Sequence, residues 1–218
     1  MINKPIVFRF KNPEAPNTLY LDRDGVLNEA VIRGSEISSP RNLKELKISS
    51  DISALASPNI VSNWNLVIVT NQPDISRGLI DLNFVDEINS KIIAILPINV
   101  VYVCPHQRED ACSCRKPKIG MIEQFRLDYP EINGNELFVG DRKSDFECAQ
   151  RAKIPFILRK RDYNTDLCNL DYLAIDDLSL LKSFLEEAIK LENVLCLNAS
   201  VVVLLIKLYK SPIVISVG

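Results

Sequence analysis

The sequence has no excess of basic residues: 26 lysines and arginines stand against 28 aspartates and glutamates, for a formal net charge of −2. No overall positive field therefore favours nucleic acid or an anionic membrane surface as a partner. Near Met1 there is no apolar stretch of signal-peptide length, because Arg9 and Lys11 soon interrupt it, and we expect a cytoplasmic location. Internal repeats and low-complexity tracts are also lacking, and residues 38–40 and 49–50 read as loop and helix-cap material.

Histidine is scarce as well, and the chain's six cysteines show no regular disulfide spacing. The single histidine, His106, lies among Cys104, Cys112 and Cys114, whereas the other three cysteines are scattered. Three thiolates and one imidazole in one loop are typical of a tetrahedral zinc site, and a full set of protein ligands indicates a structural rather than a catalytic metal. Chance clustering of free or oxidised thiols is the alternative.

Apolar residues, in contrast, are sufficient for one sizeable domain, at 47% of 218 residues. Short apolar runs predict buried strands at 18–21, 66–70, 100–104, 137–139 and 156–158. Spacings of three and four predict helices at 52–55, 84–96, 121–129, 145–152 and 178–191. This alternation predicts an α/β fold with a doubly wound, Rossmann-like parallel sheet, which we assign to a domain at 1–190.

Polar residues lie at or just beyond the ends of several predicted strands. Asp22, Thr70, Cys104 and Asp141 all occupy such positions. In open α/β sheets, ligands bind beyond the carboxyl ends of the strands. We therefore expect these residues to lie at one functional edge.

Two carboxylates, Asp22 and Asp24, are two residues apart at the end of the first buried strand, and Gly25 follows. That spacing lets one carboxylate attack while the other handles protons, and Asp141 can complete a magnesium site with Asp22. A turn or a calcium loop is the alternative. The calcium reading lacks a glutamate at the twelfth loop position counted from Asp22.

Positive charge is concentrated directly after the last cysteine of the cluster, at Arg115, Lys116 and Lys118. A solvated basic patch is the simplest interpretation, but a metal-ordered loop near the catalytic edge favours phosphate contact by Arg115 and charge neutralisation by Lys116. Thr70 and Asn71 offer hydroxyl and amide donors to phosphate oxygens, with a polar turn as the alternative.

Asp145 has two interpretations that the sequence leaves open. It follows Asp141 at the start of a predicted helix. A carboxylate there can interact with the helix dipole, or it can support the metal site.

The motifs Asp-x-Asp-Gly-Val at 22–26, Thr70, Cys-Arg-Lys-Pro at 114–117 and Gly-Asp-x-x-x-Asp at 140–145 together resemble those of the haloacid dehalogenase superfamily of phosphatases. Cys-Pro-His, Cys-x-Cys-Arg-Lys-Pro and Thr-Asn-Gln resemble its zinc-loop subgroup. That subgroup includes D-glycero-D-manno-heptose 1,7-bisphosphate 7-phosphatases and histidinol-phosphate phosphatases.

The resemblance implies a mechanism. Asp22 would form an aspartyl-phosphate, and Asp24 would protonate the leaving alcohol and later deprotonate water. Mg²⁺ would be held by Asp22, the main-chain carbonyl of Asp24 and Asp141, with Thr70 and Lys116 stabilising the transferring group. The histidine, committed to zinc in this interpretation, would take no catalytic part.

The resemblance also bears on the substrate. Arg77-Gly78 is similar to the heptose type, whereas the five-residue gap between His106 and Cys112 also occurs in histidinol-phosphate enzymes. Only 45 residues separate Asp24 from Thr70, which leaves room for a minimal cap and favours small sugar phosphates. A heptose bisphosphate is the expected substrate, histidinol phosphate the alternative, and a non-catalytic zinc-stabilised binding module the third hypothesis.

The C-terminal extension, residues 191–218, is not explained by the resemblance. Its apolar run at 194–206 spans 13 residues and contains Asn198 and Ser200. A membrane-spanning helix needs about 20 apolar residues, so no transmembrane span is predicted. We expect an added element against the core or a surface for self-association, with peripheral membrane contact as a further hypothesis.

Overall fold

The centre of the fold is a seven-stranded sheet in the order β1-β6-β5-β2-β7-β8-β9. It is seen in a computed structural model that describes residues 4–169 and 172–195. The strands of this sheet are β1 (Ile6–Arg9), β2 (Asn17–Leu21), β5 (Trp64–Asn71), β6 (Val100–Cys104), β7 (Glu136–Gly140), β8 (Phe156–Arg159) and β9 (Leu173–Ile175). The edge strand β1 runs antiparallel to β6, and the other neighbours pair in parallel. A separate antiparallel hairpin consists of β3 (Val31–Arg33) and β4 (Glu36–Ser38).

All five strands that the sequence predicts are present, and the two edge strands β1 and β9 were not predicted. The central strands β2 and β6 are buried along their whole length. A strand covered on both faces reads as a continuous apolar run, which the sequence makes visible. The edge strand β1 is only half-buried, and β9 has three residues, so neither carries that signal.

The helices are α1 (Pro58–Asn63), α2 (Leu82–Ile93), α3 (Gly120–Asp128), α4 (Lys143–Ala152) and α5 (Leu178–Leu195). The predicted helix at 52–55 is a 3-10 helix, Ile52–Ala56, and a second one, Asp162–Asn169, was not predicted. Helix α2 begins before the predicted position because the Asp81 side chain accepts a hydrogen bond from the main-chain N–H of Phe84 at 2.8 Å.

The two faces of the sheet carry separate hydrophobic clusters. On one face, Leu19 and Leu21 of β2 belong to the cluster that contains residues of α1, α2 and α5. On the other, Tyr20 belongs to the cluster that contains residues of α3 and α4. Successive side chains of a strand point to opposite faces, so helices cover both sides and the predicted doubly wound α/β architecture is confirmed.

The chain order reverses around β2, which has β5 on one side and β7 on the other. This is the switch point at which open α/β sheets form their ligand crevice. Between β2 and β5 the β3–β4 hairpin and short helices occupy the place of a larger cap.

The C-terminal part of the chain is described only as far as α5. This helix continues past the expected boundary at 190 to Leu195, and the remainder of the 191–218 extension lies outside the described residues. Within the described residues, no helix combines the length and apolar character that crossing a bilayer requires.

Candidate active site

Asp22 follows β2 and lies against Lys116, whose ammonium is buried. The Lys116 Nζ is 2.7 Å from Asp22 Oδ1 and 2.7 Å from Asp145 Oδ1, and it also donates to the main-chain oxygen of Val69 at 2.8 Å. One cation therefore balances two carboxylates that come from different strand ends. Asp22 is the predicted nucleophile, and the structure places the predicted lysine directly beside it.

Asp24 is held by a different set of partners. Its Oδ1 accepts from Asn28 at 2.9 Å, and its Oδ2 accepts from Gln72 at 2.6 Å and from the Ser39 hydroxyl at 2.8 Å. The buried guanidinium of Arg23 lies 3.2 Å from Oδ2. The carboxylate is thus surrounded by donors, which fixes its direction at the edge of the sheet.

The two carboxyl groups differ in proton affinity. Burial raises the pKa of Asp22, the charge of Lys116 offsets part of that rise, and Asp145 adds to it. Burial would also raise the pKa of Asp24, but the Arg23 charge and its hydrogen-bond donors lower that pKa below its usual value. Carboxyl groups in such opposed environments can take separate roles as nucleophile and as acid–base group.

A cluster of acidic side chains lies beside Asp22. The carboxylates of Asp22, Asp141 and Asp145 are buried and offer ligand atoms within 4.8 Å of one another. Burial and the charge of Asp22 raise the pKa of Asp141 well above its usual value, and Asp141 Oδ1 has no hydrogen-bond partner. Buried oxygens of one sign of charge are the ligands that a hard divalent cation prefers, so the donor set fits such an ion.

Of the two roles that the sequence left open for Asp145, the structure shows the one at the helix start, and support of the metal site stays a prediction. Asp145 Oδ2 accepts from the main-chain N–H of Arg142 at 3.0 Å, at the start of α4, and its Oδ1 pairs with Lys116. It therefore caps a helix and holds the cation that lies next to Asp22.

Thr70 and Asn71 end β5 near this cluster. Thr70 Oγ1 accepts from Gln72 Nε2 at 2.9 Å. The Asn71 amide donates to the main-chain oxygen of Lys116 at 3.1 Å and accepts from its N–H at 3.0 Å. Both ends of the Asn71 side chain therefore hold Lys116, and the predicted contact of its amide with phosphate stays a prediction.

The predicted cysteine–histidine cluster comes together at the end of β6. Cys104, His106, Cys112 and Cys114 are buried, with ligand atoms within 4.8 Å of one another. Cys104 Sγ lies 3.7 Å from Cys112 Sγ, and Cys114 Sγ lies 3.6 Å from Cys112 Sγ. A disulfide requires about 2.05 Å, whereas sulfurs bound about 2.3 Å from one tetrahedral centre lie about 3.8 Å apart. The spacing fits a shared metal ion.

Arg115 follows this cluster and connects it to the catalytic edge. Its guanidinium donates to the main-chain oxygen of His106 at 3.0 Å, which stabilises the loop.

A cavity of about 380 Å³ opens at the catalytic edge, and its wall includes Asp22, Asp24, Thr70 and Lys116. Further cations surround it, namely Arg77, Arg108, Arg115, Lys118, Arg142 and Arg151. Such a cavity can accommodate a small anionic molecule.

Several residues that contact the site were not predicted, and Ser39 and Tyr163 are two of them. Ser39 belongs to the 38–40 segment that reads as loop material, yet its hydroxyl donates to Asp24. Tyr163 lies in the unpredicted 3-10 helix after β8, and its hydroxyl donates to Asp141 Oδ2. Neither belongs to a recognisable motif, because tertiary contact alone brings them to the site.

Comparison with known proteins gives a consistent family. The model of the family described as polynucleotide kinase 3 phosphatase matches residues 27–167. A protein of Thermoplasma volcanium named "Probable D-glycero-D-manno-heptose-1,7-bisphosphate 7-phosphatase" is 35% identical over 147 residues, which cover 65% of this chain and 97% of that protein. The D-glycero-beta-D-manno-heptose-1,7-bisphosphate 7-phosphatase of Pseudomonas aeruginosa is 32% identical over 151 residues, covering 65% and 80% of the respective chains.

Solved structures show the same fold. The D,D-heptose 1,7-bisphosphate phosphatase of B. bronchiseptica, solved with magnesium and phosphate, matches with a TM-score of 0.64 at 24% identity, over 78% of this chain and 98% of that one. The family match and the relatives above cover more than half of the chain. The chain therefore belongs to the polynucleotide kinase 3 phosphatase family of haloacid dehalogenase-like phosphatases.

Proposed function

We propose that the chain is a magnesium-dependent phosphatase that hydrolyses a small phosphate monoester through an aspartyl-phosphate on Asp22. The observation that carries this proposal is the buried Asp22–Lys116 pair, at 2.7 Å, in the wall of a cation-rich cavity. A carboxylate nucleophile needs a nearby positive charge to approach an anionic phosphoryl group, and Lys116 supplies it.

In the first half-reaction a carboxylate oxygen of Asp22 bonds to phosphorus as the ester P–O bond breaks. Asp24 gives its proton to the leaving alcohol oxygen. Without bound substrate, the lowered pKa of Asp24 favours its ionised form. The negative charge of a bound phosphoryl group raises that pKa, so that Asp24 can carry the proton it donates. In the second half-reaction Asp24 takes a proton from a water molecule whose oxygen bonds to phosphorus. The bond between Asp22 and phosphorus breaks, which regenerates the Asp22 carboxylate, and inorganic phosphate leaves.

The acidic cluster is the proposed magnesium site. Asp22 and Asp141 would hold the ion with their carboxylates, and Asp24 with its main-chain carbonyl. Bound there, Mg²⁺ would neutralise charge on the phosphoryl oxygens. Lys116 and the Thr70 hydroxyl would contact the same group, and Asn71 would hold Lys116 in place through its two main-chain hydrogen bonds.

The cysteine–histidine cluster is the proposed structural zinc site. Three thiolates and one imidazole match the ligands that zinc prefers, and they leave no open coordination position. The ion would order the loop from Cys104 to Arg115 and so position Arg115 and Lys116. Thiolate ligands must be reduced, which supports the proposed cytoplasmic location.

The proposed substrate is D-glycero-D-manno-heptose 1,7-bisphosphate, cleaved at the 7-phosphate. Relatives of this name align over most of their length, and the cavity adds cations beyond Lys116 that suit a second phosphate. Its rim also carries Glu36, which can accept hydrogen bonds from sugar hydroxyls.

The test measures kcat/KM for phosphate release from the heptose bisphosphate and from L-histidinol phosphate, with and without Mg²⁺. We expect strong preference for the heptose substrate, dependence on Mg²⁺, and loss of hydrolysis to background in Asp22→Asn. The variant is isosteric, so an unchanged thermal midpoint would show that folding is retained. Preference for histidinol phosphate would refute the substrate, and full activity of Asp22→Asn would refute the mechanism.

A further inference from the structure

The segment that follows β8 reaches back to the acidic cluster. Arg161 Nε donates to the main-chain oxygen of Gly25 at 2.7 Å. The Asn164 side chain donates to the main-chain oxygens of Asp141 at 2.7 Å and of Arg159 at 2.9 Å. Residues 160–164, here called the post-β8 strap, are therefore held against the loops that carry the Asp22 and Asp141 motifs.

Within this strap, Tyr163 contacts a proposed metal ligand directly. Its hydroxyl donates to Asp141 Oδ2, and the guanidinium of Arg142 approaches the same oxygen at 3.9 Å. The other oxygen, Asp141 Oδ1, is buried and has no hydrogen-bond partner. The two oxygens of one carboxylate are thus in different states: Oδ2 is engaged, and Oδ1 is available.

A carboxylate that binds a divalent cation through one oxygen can rotate unless its second oxygen is held. Hydrogen bonds to the non-ligating atom of a metal ligand fix its direction, and their loss typically weakens metal binding about 10- to 100-fold. The position of Tyr163 is itself fixed by contacts on either side of it. The Arg161 guanidinium binds the main-chain oxygen of Gly25, and the Asn164 amide binds that of Asp141.

We propose that Tyr163 is a positioning residue for the divalent-cation site, which holds Asp141 Oδ2 so that Oδ1 stays directed at the ion. The proposal rests on the proposed magnesium site and adds a residue to it. Tyr163 touches neither the phosphoryl group nor the nucleophile in this role. Its effect is on the affinity for the ion.

The test compares the full chain with Tyr163→Phe, which removes the hydroxyl and keeps the ring. Magnesium alone is titrated, and binding is followed by calorimetry and by the rise of the thermal midpoint with Mg²⁺ concentration. We expect the dissociation constant for Mg²⁺ to rise about 10-fold. In hydrolysis assays, excess Mg²⁺ should restore kcat to near the wild-type value, because the reacting groups are unchanged.

Tyr172→Phe is the matched control. The Tyr172 hydroxyl donates to the main-chain oxygen of Leu167 at 2.6 Å, further along the same part of the chain. Its loss removes a phenol hydrogen bond without touching the acidic cluster, so Mg²⁺ affinity should stay at the wild-type value. The thermal midpoint without Mg²⁺ reports folding for each variant.

A rise of threefold or more in the Mg²⁺ dissociation constant of Tyr163→Phe, with Tyr172→Phe unchanged, would support the proposal. A smaller rise in the dissociation constant, or an equal rise in both variants, would overturn it. A fall in kcat that excess Mg²⁺ does not restore would overturn it as well. If the wild-type chain hydrolyses phosphate esters without binding Mg²⁺, the metal part of the proposed function fails first. That result is distinguishable because it appears before any variant is made.

Discussion

The two clusters of potential metal ligands are built in opposite ways. The cysteine–histidine cluster uses side chains from a single stretch, 104–114, at the end of β6 and in the following loop. The acidic cluster joins Asp22, after β2, with Asp141 and Asp145, after β7. Lys116, which directly follows the loop from Cys104 to Arg115, here called the cysteine loop, balances its charge. The first cluster can form within one loop, whereas the second forms only when the sheet places the ends of β2 and β7 side by side.

The two clusters also differ in the hardness of their potential ligand atoms. Thiolates suit a soft or borderline ion that closes the loop, and the carboxylates suit a hard ion that leaves room for substrate. Lys116 connects the two regions because it follows the last cysteine and pairs with Asp22. The comparison predicts that changes in the cysteine loop act on catalysis through Lys116.

The largest effect is expected for Lys116→Met. This change leaves Asp22 and Asp145 buried without their cation, and loss of a preorganised charge of this kind lowers kcat about 10³-fold, or about 4 kcal/mol. Steady-state kinetics with the heptose bisphosphate measures it. Lys143→Met removes an exposed lysine as the control, and a kcat within tenfold of wild type in Lys116→Met would contradict the shared-cation interpretation.

Gly25→Ala tests how closely the main chain packs against the acidic cluster. Gly25 has a φ of +97°, and an added Cβ would meet the Asp141 carboxylate and the Tyr163 hydroxyl. Backbone strain and overpacking together should lower the free energy of unfolding by about 3 kcal/mol, measured by urea titration.

Gly34→Ala is the control for Gly25→Ala. Gly34 has a φ of +63° with nothing within 4 Å of the added atom, so it carries only the backbone cost of about 1 kcal/mol. Equal losses in the two variants would show that the close approach at Asp141 is unimportant.

Cys112→Ser addresses the local cluster. Loss of one thiolate should abolish stoichiometric zinc and, by loosening the loop that carries Lys116, lower kcat about 100-fold. Metal analysis by mass spectrometry and kinetics are the two measurements. Cys148→Ala removes a buried cysteine outside the cluster and should retain zinc. An unchanged kcat in a zinc-free Cys112→Ser protein would contradict the expectation that the cysteine loop acts on catalysis through Lys116.

The smallest effect is expected for Ser39→Ala, which removes one donor to Asp24. Loss of this donor raises the pKa of Asp24 but leaves its carboxylate less firmly directed. An alkyl phosphate needs a well-placed acid to protonate its leaving alcohol, so kcat/KM should fall about tenfold for the heptose substrate. An aryl phosphate such as p-nitrophenyl phosphate needs little proton donation and should be almost unaffected. Ser39→Thr should restore activity, and Ser38→Ala, the neighbouring control, should not lower it. Equal losses for both substrates would indicate a general structural defect.

Prediction from sequence succeeded where the signal is local. The five buried strands appear in the sequence as apolar runs. The cysteine–histidine cluster is visible from the spacing within 104–114 alone, without knowledge of the fold. The edge strands β1 and β9 and the 3-10 helix at Asp162–Asn169 escaped prediction because they are short or only partly buried, and so lack a clear period.

The sequence by itself determined the order of the five buried strands, the cysteine and histidine residues of the 104–114 cluster, and the presence of Asp22, Asp24 and Asp141 just beyond strand ends. These depend on apolar periodicity and on the spacing of neighbouring residues. Only the tertiary structure decided that Asn71 holds the main chain of Lys116, that Ser39 donates to Asp24, and that Tyr163 holds Asp141. Contacts between residues far apart in the chain depend on how the sheet, the hairpin and the post-β8 strap pack, and no local pattern specifies that packing.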